Sequence, residues 1–217
     1  MQIEINVPTS LNEITLEQYQ RYLKATEETP DGSLLDAKII EIFCGIPVSE
    51  SYKLKMSSVQ AIVDILVDML NEKPTHINRF SLDGVQYGFI PDLDEMSLGE
   101  YVDLDGNASD WQKMHIAMNV LYRPIKIKKG TKYSIQEYTA EGPDKMKDMP
   151  LGVAIGSLFF FYKLGLELSS HTILSSVNQQ EMETIQEQLT SERSGDGTHQ
   201  FIASLEEMLQ SLKISLN

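Results

Sequence analysis

The chain holds a single cysteine, Cys44, in 217 residues. One thiol cannot staple a monomer, which excludes a disulfide scaffold and fits a reducing compartment. Histidine is nearly as sparse. His76, His115, His171 and His199 are scattered, with no i,i+4 pair and no HExxH, so a helical zinc-hydrolase motif is excluded. Positive charge is short as well: 18 Lys and Arg face 32 Asp and Glu, for a net −14 and a pI near 4.6. Such a chain is repelled by nucleic acid and by anionic lipid, so neither is expected as a main partner, and a basic protein surface is. Long apolar runs are missing. The longest, Leu151–Tyr162, ends at Lys163 and is too short to span a bilayer, so no membrane insertion is expected. The opening "MQIEINVPTS" has neither a basic n-region nor an apolar h-region, which argues against a signal peptide.

What is present is a core and an uneven charge. Hydrophobic residues make up 41%, enough for a folded domain and too many for a disordered chain. Residues 1–110 are net −13 and residues 151–217 net −5, but residues 111–150 are net +4. A basic island thus interrupts an acidic chain.

Periodicity reads as a predominantly helical α+β fold: a helical core, two short β-hairpins and a C-terminal helical appendage. "IEINV" (Ile3–Val7) alternates like a strand. Thr15 and Gln18 form a capping box ahead of a helix that carries Leu16, Tyr19 and Leu23 on one face. A helix over Leu34–Cys44 stops at Gly45. A third helix places Val59, Ile62, Val63, Leu66, Met69 and Leu70 at helical spacing and closes at Pro74. Asp83-Gly84 joins two alternating runs into a hairpin with Phe80, Leu82, Val85, Tyr87 and Phe89 on one face. Ser97 and Glu100 form a second capping box for a short helix to about Leu104. Ser109 can cap the next, whose stripe is Trp111, Met114, Met118 and Leu121 and which Pro124 stops. A second hairpin turns at Gly130, "TAEGPDKMKDMP" reads as a loop, and "LGVAIGSLFFFYKLGLEL" as a buried central helix. We expect a main domain over residues 1–168 and an appendage over 169–217 with a flexible linker at 191–199. The last helix sets Phe201, Ile202, Leu205 and Leu209 on one side. Trp111, Met118, Leu66 and Phe160 are expected to share a core.

The one stretch dense in chemistry is "FIPDLDEMSLGEYVDLDG", with Asp92, Asp94, Glu95, Glu100, Asp103 and Asp105. Aligned as a calcium loop on Gly106, it has Tyr101 at position 1 and Gln112 at position 12, where acids are required. No metal is expected. A catalytic acid pair is equally unmarked, because nothing singles out one carboxyl as buried. Each acid has a structural task instead, at a turn or a helix N-terminus, which suits an acidic docking surface. Gly152-x-x-x-Gly156 reads as close helix packing in a core. Lys126, Lys128, Lys129 and Lys132 read as a solvated hairpin edge, with phosphate binding the sharper alternative but no Gly-rich loop to support it. His115 and Cys44 read as packed groups. No catalytic residue and no cofactor site emerges.

The segments "LEQYQRYL", "IEIFCGIP", "GFIPDLDEMSLGEYVDLD", "WQKMHIAMNVLYRPI" and "DMPLGVAIGSLFFFYKLG" resemble, over about Leu16–Leu168, small acidic proteins of tailed bacteriophages, including crAss-like and marine phages, encoded among virion morphogenesis genes. The resemblance rests on structural residues and transfers no active site. It implies a non-enzymatic role in virion assembly, in the host cytoplasm or in the virion itself. Two roles compete: a tail or neck assembly chaperone that holds a basic structural protein, and a minor structural protein of neck, tail or capsid. An enzyme is a third class that no motif supports. The expected partner-binding residues are Asp92, Asp94, Glu95, Glu100, Tyr101, Asp103 and Asp105, with Phe201, Leu205 and Leu209 from the last helix. An oligomer is left open.

Overall fold

The computed structural model describes residues 5–176, with side chains through Leu164. The linker at 191–199 and the helix bearing Phe201, Leu205 and Leu209 lie outside the described residues, as do Ile3 and Glu4. Cα packing divides the chain into two units, Met1–Ser157 and Leu158–Asn217.

The first unit is mixed α+β. Helix α1 (Leu16–Glu28) begins at the expected capping box, with the Thr15 hydroxyl accepting from Gln18 N and the Gln18 side chain accepting from Thr15 N. Helix α2 (Ser33–Cys44) ends where Gly45 takes a left-handed φ of 70°. That conformation frees the chain to turn, and glycine enters it without a Cβ clash. A short helix α3 (Val48–Ser51), not foreseen, leads into α4 (Met56–Leu70), which buries Ile62, Leu66 and Met69. Helices α1, α3 and α4 all pack on α2.

Strands β1 (Arg79–Leu82) and β2 (Val85–Phe89) form the Asp83-Gly84 hairpin, with positive φ at both turn residues. That is the turn whose twist matches the strands. The second hairpin, β3 (Tyr122–Lys129) with β4 (Lys132–Ile135), joins the first through β2 and β3, giving one antiparallel sheet in the order β1-β2-β3-β4. Phe80 pairs with Tyr87 and Phe89 with Tyr122, so their rings share one face, at centroid distances of 5.3–5.5 Å. The Tyr122 hydroxyl donates to Ile77 O at 2.6 Å and lies 2.8 Å from Ser157 Oγ.

Between the hairpins lie helix α5 (Leu98–Asp105), a 3-10 turn at Trp111–Lys113 and helix α6 (Met114–Leu121). Asp110, rather than Ser109, caps the Trp111 turn. Helix α6 stops at Leu121, three residues before the expected Pro124, which sits inside β3 opposite Tyr87. Proline drives its preceding residue out of the helical region, so Arg123 is already extended. The loop before Leu151 contains a 3-10 turn at Pro143–Asp148 that buries Met146.

Residues 5–7 are not strand; the first sheet-like contact is an isolated bridge between Thr15 and Pro150. Leu16 N donates to Met149 O and Leu151 N to Ile14 O, both at 2.9 Å. They fix the start of helix α7 (Leu151–Ser176), which runs on past Ser169. The two α7 glycines of the first unit are close contacts. A Cβ at Gly152 would lie 2.5 Å from Asn12 Oδ1, and one at Gly156 2.6 Å from Thr75 O. Trp111, Met118 and Leu66 are buried as expected, whereas Phe160, in the second unit, is only half-buried. Among the described residues no helix is long and apolar enough to cross a membrane.

Candidate functional site

The acidic stretch resolves into two different surfaces of one helix. Asp92, Asp94 and Glu95 are exposed in the turn that enters α5, where the Asp92 carboxylate accepts from Asp94 N at 3.1 Å. Ser97 then caps the helix: its hydroxyl accepts from Glu100 N, and the Glu100 carboxylate accepts from Ser97 N at 2.7 Å.

Glu100 does not belong to the acidic face on which the sequence placed it. It is 6% exposed and forms an ion pair with Arg123 of β3, Nη1 to Oε1, at 2.7 Å. Arg123 is itself buried. Burial would raise the Glu100 carboxyl, but hydrogen bonds from Ser97 and the Arg123 guanidinium outweigh it and hold it below the ordinary glutamate range. The other cap and pair oxygens are satisfied, but Arg123 Nε has no hydrogen-bond partner among the described residues. Asp103 is half-buried and accepts a hydrogen bond from the Tyr138 hydroxyl at 2.6 Å. Burial first, and then the Asp103 charge and hydrogen bond, push that phenol well above its usual range. Leu104 is buried as helix α5 packs on α6. So the inner side of α5 is bolted down by a buried ion pair, a phenol–carboxylate hydrogen bond and one leucine.

The outer side is the reverse of a normal amphipathic helix. Leu98 is 79% exposed, Tyr101 47% and Val102 57%. At i, i+3 and i+4 they lie along one face, continued at i+7 by exposed Asp105. None of Asp92, Asp94, Glu95 and Asp105 forms an ion pair with a described residue. Of the expected docking residues within the described range, then, Asp92, Asp94, Glu95, Tyr101 and Asp105 are exposed, Asp103 is half-buried and Glu100 is inside. Leu98 and Val102 were not singled out from the sequence. Their i,i+4 spacing directly after a capping box was the available signal.

Cys44 and His115 lie against the protein's own packing. Cys44 is half-buried, and burial pushes its thiol up, away from a reactive thiolate. His115 is buried beside Gln20, whose amide donates to Trp111 O at 2.7 Å and lies 3.4 Å from His115 Nδ1. Burial lowers the imidazole, with Lys147 adding to that and Asp144 opposing it. The four lysines of the second hairpin lie on an exposed tip. Among the described residues no group of three or more His, Cys, Asp or Glu is placed to hold a metal ion.

The chain matches no family model, no curated protein and no solved structure.

Proposed function

We propose that this protein is a non-enzymatic binding protein of phage virion morphogenesis, a tail or neck assembly chaperone that holds a basic structural protein through the outer face of α5. The observation that carries this reading is the inversion of α5. A soluble helix normally buries its apolar residues. Here the anchoring is done by Glu100 and Leu104, and Leu98, Tyr101 and Val102 are left in water in a stretch whose exposed carboxylates form no ion pair with a described residue. Apolar and aromatic centres with a charged rim are the composition of transient interfaces. The exposed acids would speed encounter with a cationic partner and exclude an anionic one. The phage setting comes from the sequence resemblance, and the partner's basic character from the rim charge.

The test is genetic complementation. A phage lacking the gene is supplied with the wild-type protein or with Leu98→Gln/Val102→Gln, which removes the apolar strip and leaves the ion pair intact. Loss of plaques with an unchanged melting curve is the expected result. Full complementation by the double variant would remove α5 from the function. Mass spectrometry of purified virions then separates the two roles: a chaperone is absent, whereas the second reading, a minor structural protein, requires stoichiometric amounts.

A further inference from the structure

The chain carries, on a different element, a surface that complements the α5 face. The tip of the second hairpin, residues 126–132, is exposed throughout. It holds Lys126, Lys128, Lys129 and Lys132 and no acid, and none of these lysines pairs with a described carboxylate. A register shift between Ile125 and Ile127 interrupts the ladder where the hairpin leaves the body. Such an irregularity bends and re-aims a strand. Beyond it Ile127 pairs with Ser134 and Lys129 with Lys132, so Ile127, Lys129 and Lys132 share one face. Ile127 is 68% exposed, an isoleucine in water flanked by two cations. The α5 face is the matching negative: Leu98 and Val102 in water, with exposed Asp94 and Glu95 in the turn that leads into the helix and exposed Asp105 one turn on along the same face. The two strips are of similar length, about 10 Å for seven helical steps and about 7 Å for two strand steps plus side-chain reach.

We infer that the occupant of the α5 face, when no client is bound, is a second copy of this chain, which inserts the Ile127–Lys132 arm of one molecule against Leu98, Tyr101 and Val102 of the next. The inference rests on reading that face as a docking surface. Arm and face are different patches, so the contact is heterologous and repeats head to tail, closing a ring or extending a chain. Its small area makes it weak, with a dissociation constant of about 10 µM or higher. The net charge of −14 opposes association at long range. Salt at about 0.1 M screens that repulsion beyond roughly 10 Å and leaves close pairs largely intact.

Sedimentation velocity on the full chain up to about 0.5 mM, in about 0.1 M salt, tests this. The wild type is expected to associate with concentration. The arm-reversed variant (Lys126→Glu, Lys128→Glu, Lys129→Glu, Lys132→Glu) and the face-reversed variant (Asp94→Lys, Glu95→Lys, Asp105→Lys) should each weaken association by about tenfold or more. Mixed together they should associate again, because each arm now meets a face of opposite charge. Far-UV circular dichroism checks that each variant is folded. Should the fourfold change unfold the arm, Lys129→Gln/Lys132→Gln gives the same direction with a smaller shift. A wild type that stays monomeric overturns the inference, as does association that survives arm reversal or a mixture that stays monomeric. The arm-reversed protein keeps an intact α5 face, so its plaque complementation reports on client holding independently of self-association.

Discussion

Helices α5 and α6 have the same length, eight residues, and pack against each other, but they bury opposite kinds of side chain. Helix α6 buries Met114, Ala117, Met118, Val120 and Leu121, with His115 the one polar residue among them, and is held mainly by apolar contact. Helix α5 buries a carboxylate and a single leucine and shows its other apolar residues to solvent. The difference separates two tasks. Apolar burial is non-directional and stabilises strongly, but it consumes the surface that makes it. An ion pair with a capping box anchors a helix by direction and contact at one point, leaving the opposite face available.

That contrast can be broken from the inside. Arg123→Ala leaves Glu100 buried without its counter-charge and should destabilise the protein by about 3–5 kcal/mol in denaturant melts. Replacing both partners with methionine should recover part of the loss, because an apolar pair of similar volume fills the site without desolvation but gives up the cap bond that Glu100 accepts from Ser97 N. If the single and double variants are equally unstable, the pair is not what anchors α5. On the other helix Met118→Ala removes a fully buried side chain and should cost about 2–5 kcal/mol, with no change in its pH dependence.

Acid titration sharpens the comparison. Glu100 titrates below the ordinary glutamate value of about 4.5 in the folded chain, so the unfolded state binds the proton first. Its contribution to stability is therefore complete above about pH 4.5 and is lost as the pH falls through the depressed folded value. Melts from pH 7 to pH 3 should fall more steeply for the wild type than for the double methionine variant, and parallel curves would exclude Glu100 as the source. The smallest expected effect is on the outer face. Leu98→Gln/Val102→Gln should shift stability by no more than about 0.5 kcal/mol, and a larger loss would mean that the strip is packed in solution rather than exposed.

The features readable in the sequence are those closed by near neighbours. Both capping boxes, the Gly45 stop and the Asp83-Gly84 turn depend on residues within four of each other, and all four form. What was not readable depends on distant partners. Nothing near Glu100 announces Arg123, and the alternation over Ile3–Val7 pairs with no strand at its described residues 5–7. The union of the two hairpins into one sheet is likewise a contact between residues far apart in the chain. Counting acids in the stretch likewise could not separate the buried Glu100 from the exposed Asp94, Glu95 and Asp105.

The clamp between Ile14 and Leu151 has a consequence for how the protein is made. Helix α1 leaves the ribosome well before the first turn of α7, so the backbone bonds that hold its entry, from Leu16 to Met149 and from Leu151 to Ile14, await a segment synthesised much later. At about 5–20 residues per second, that interval is on the order of ten seconds. During it the apolar side of α1, with Leu16 and Tyr19, has only α2 and its successors to lean on. The entry of α1 is therefore closed only when the first turn of α7 emerges, so this contact is among the later ones the growing chain can make.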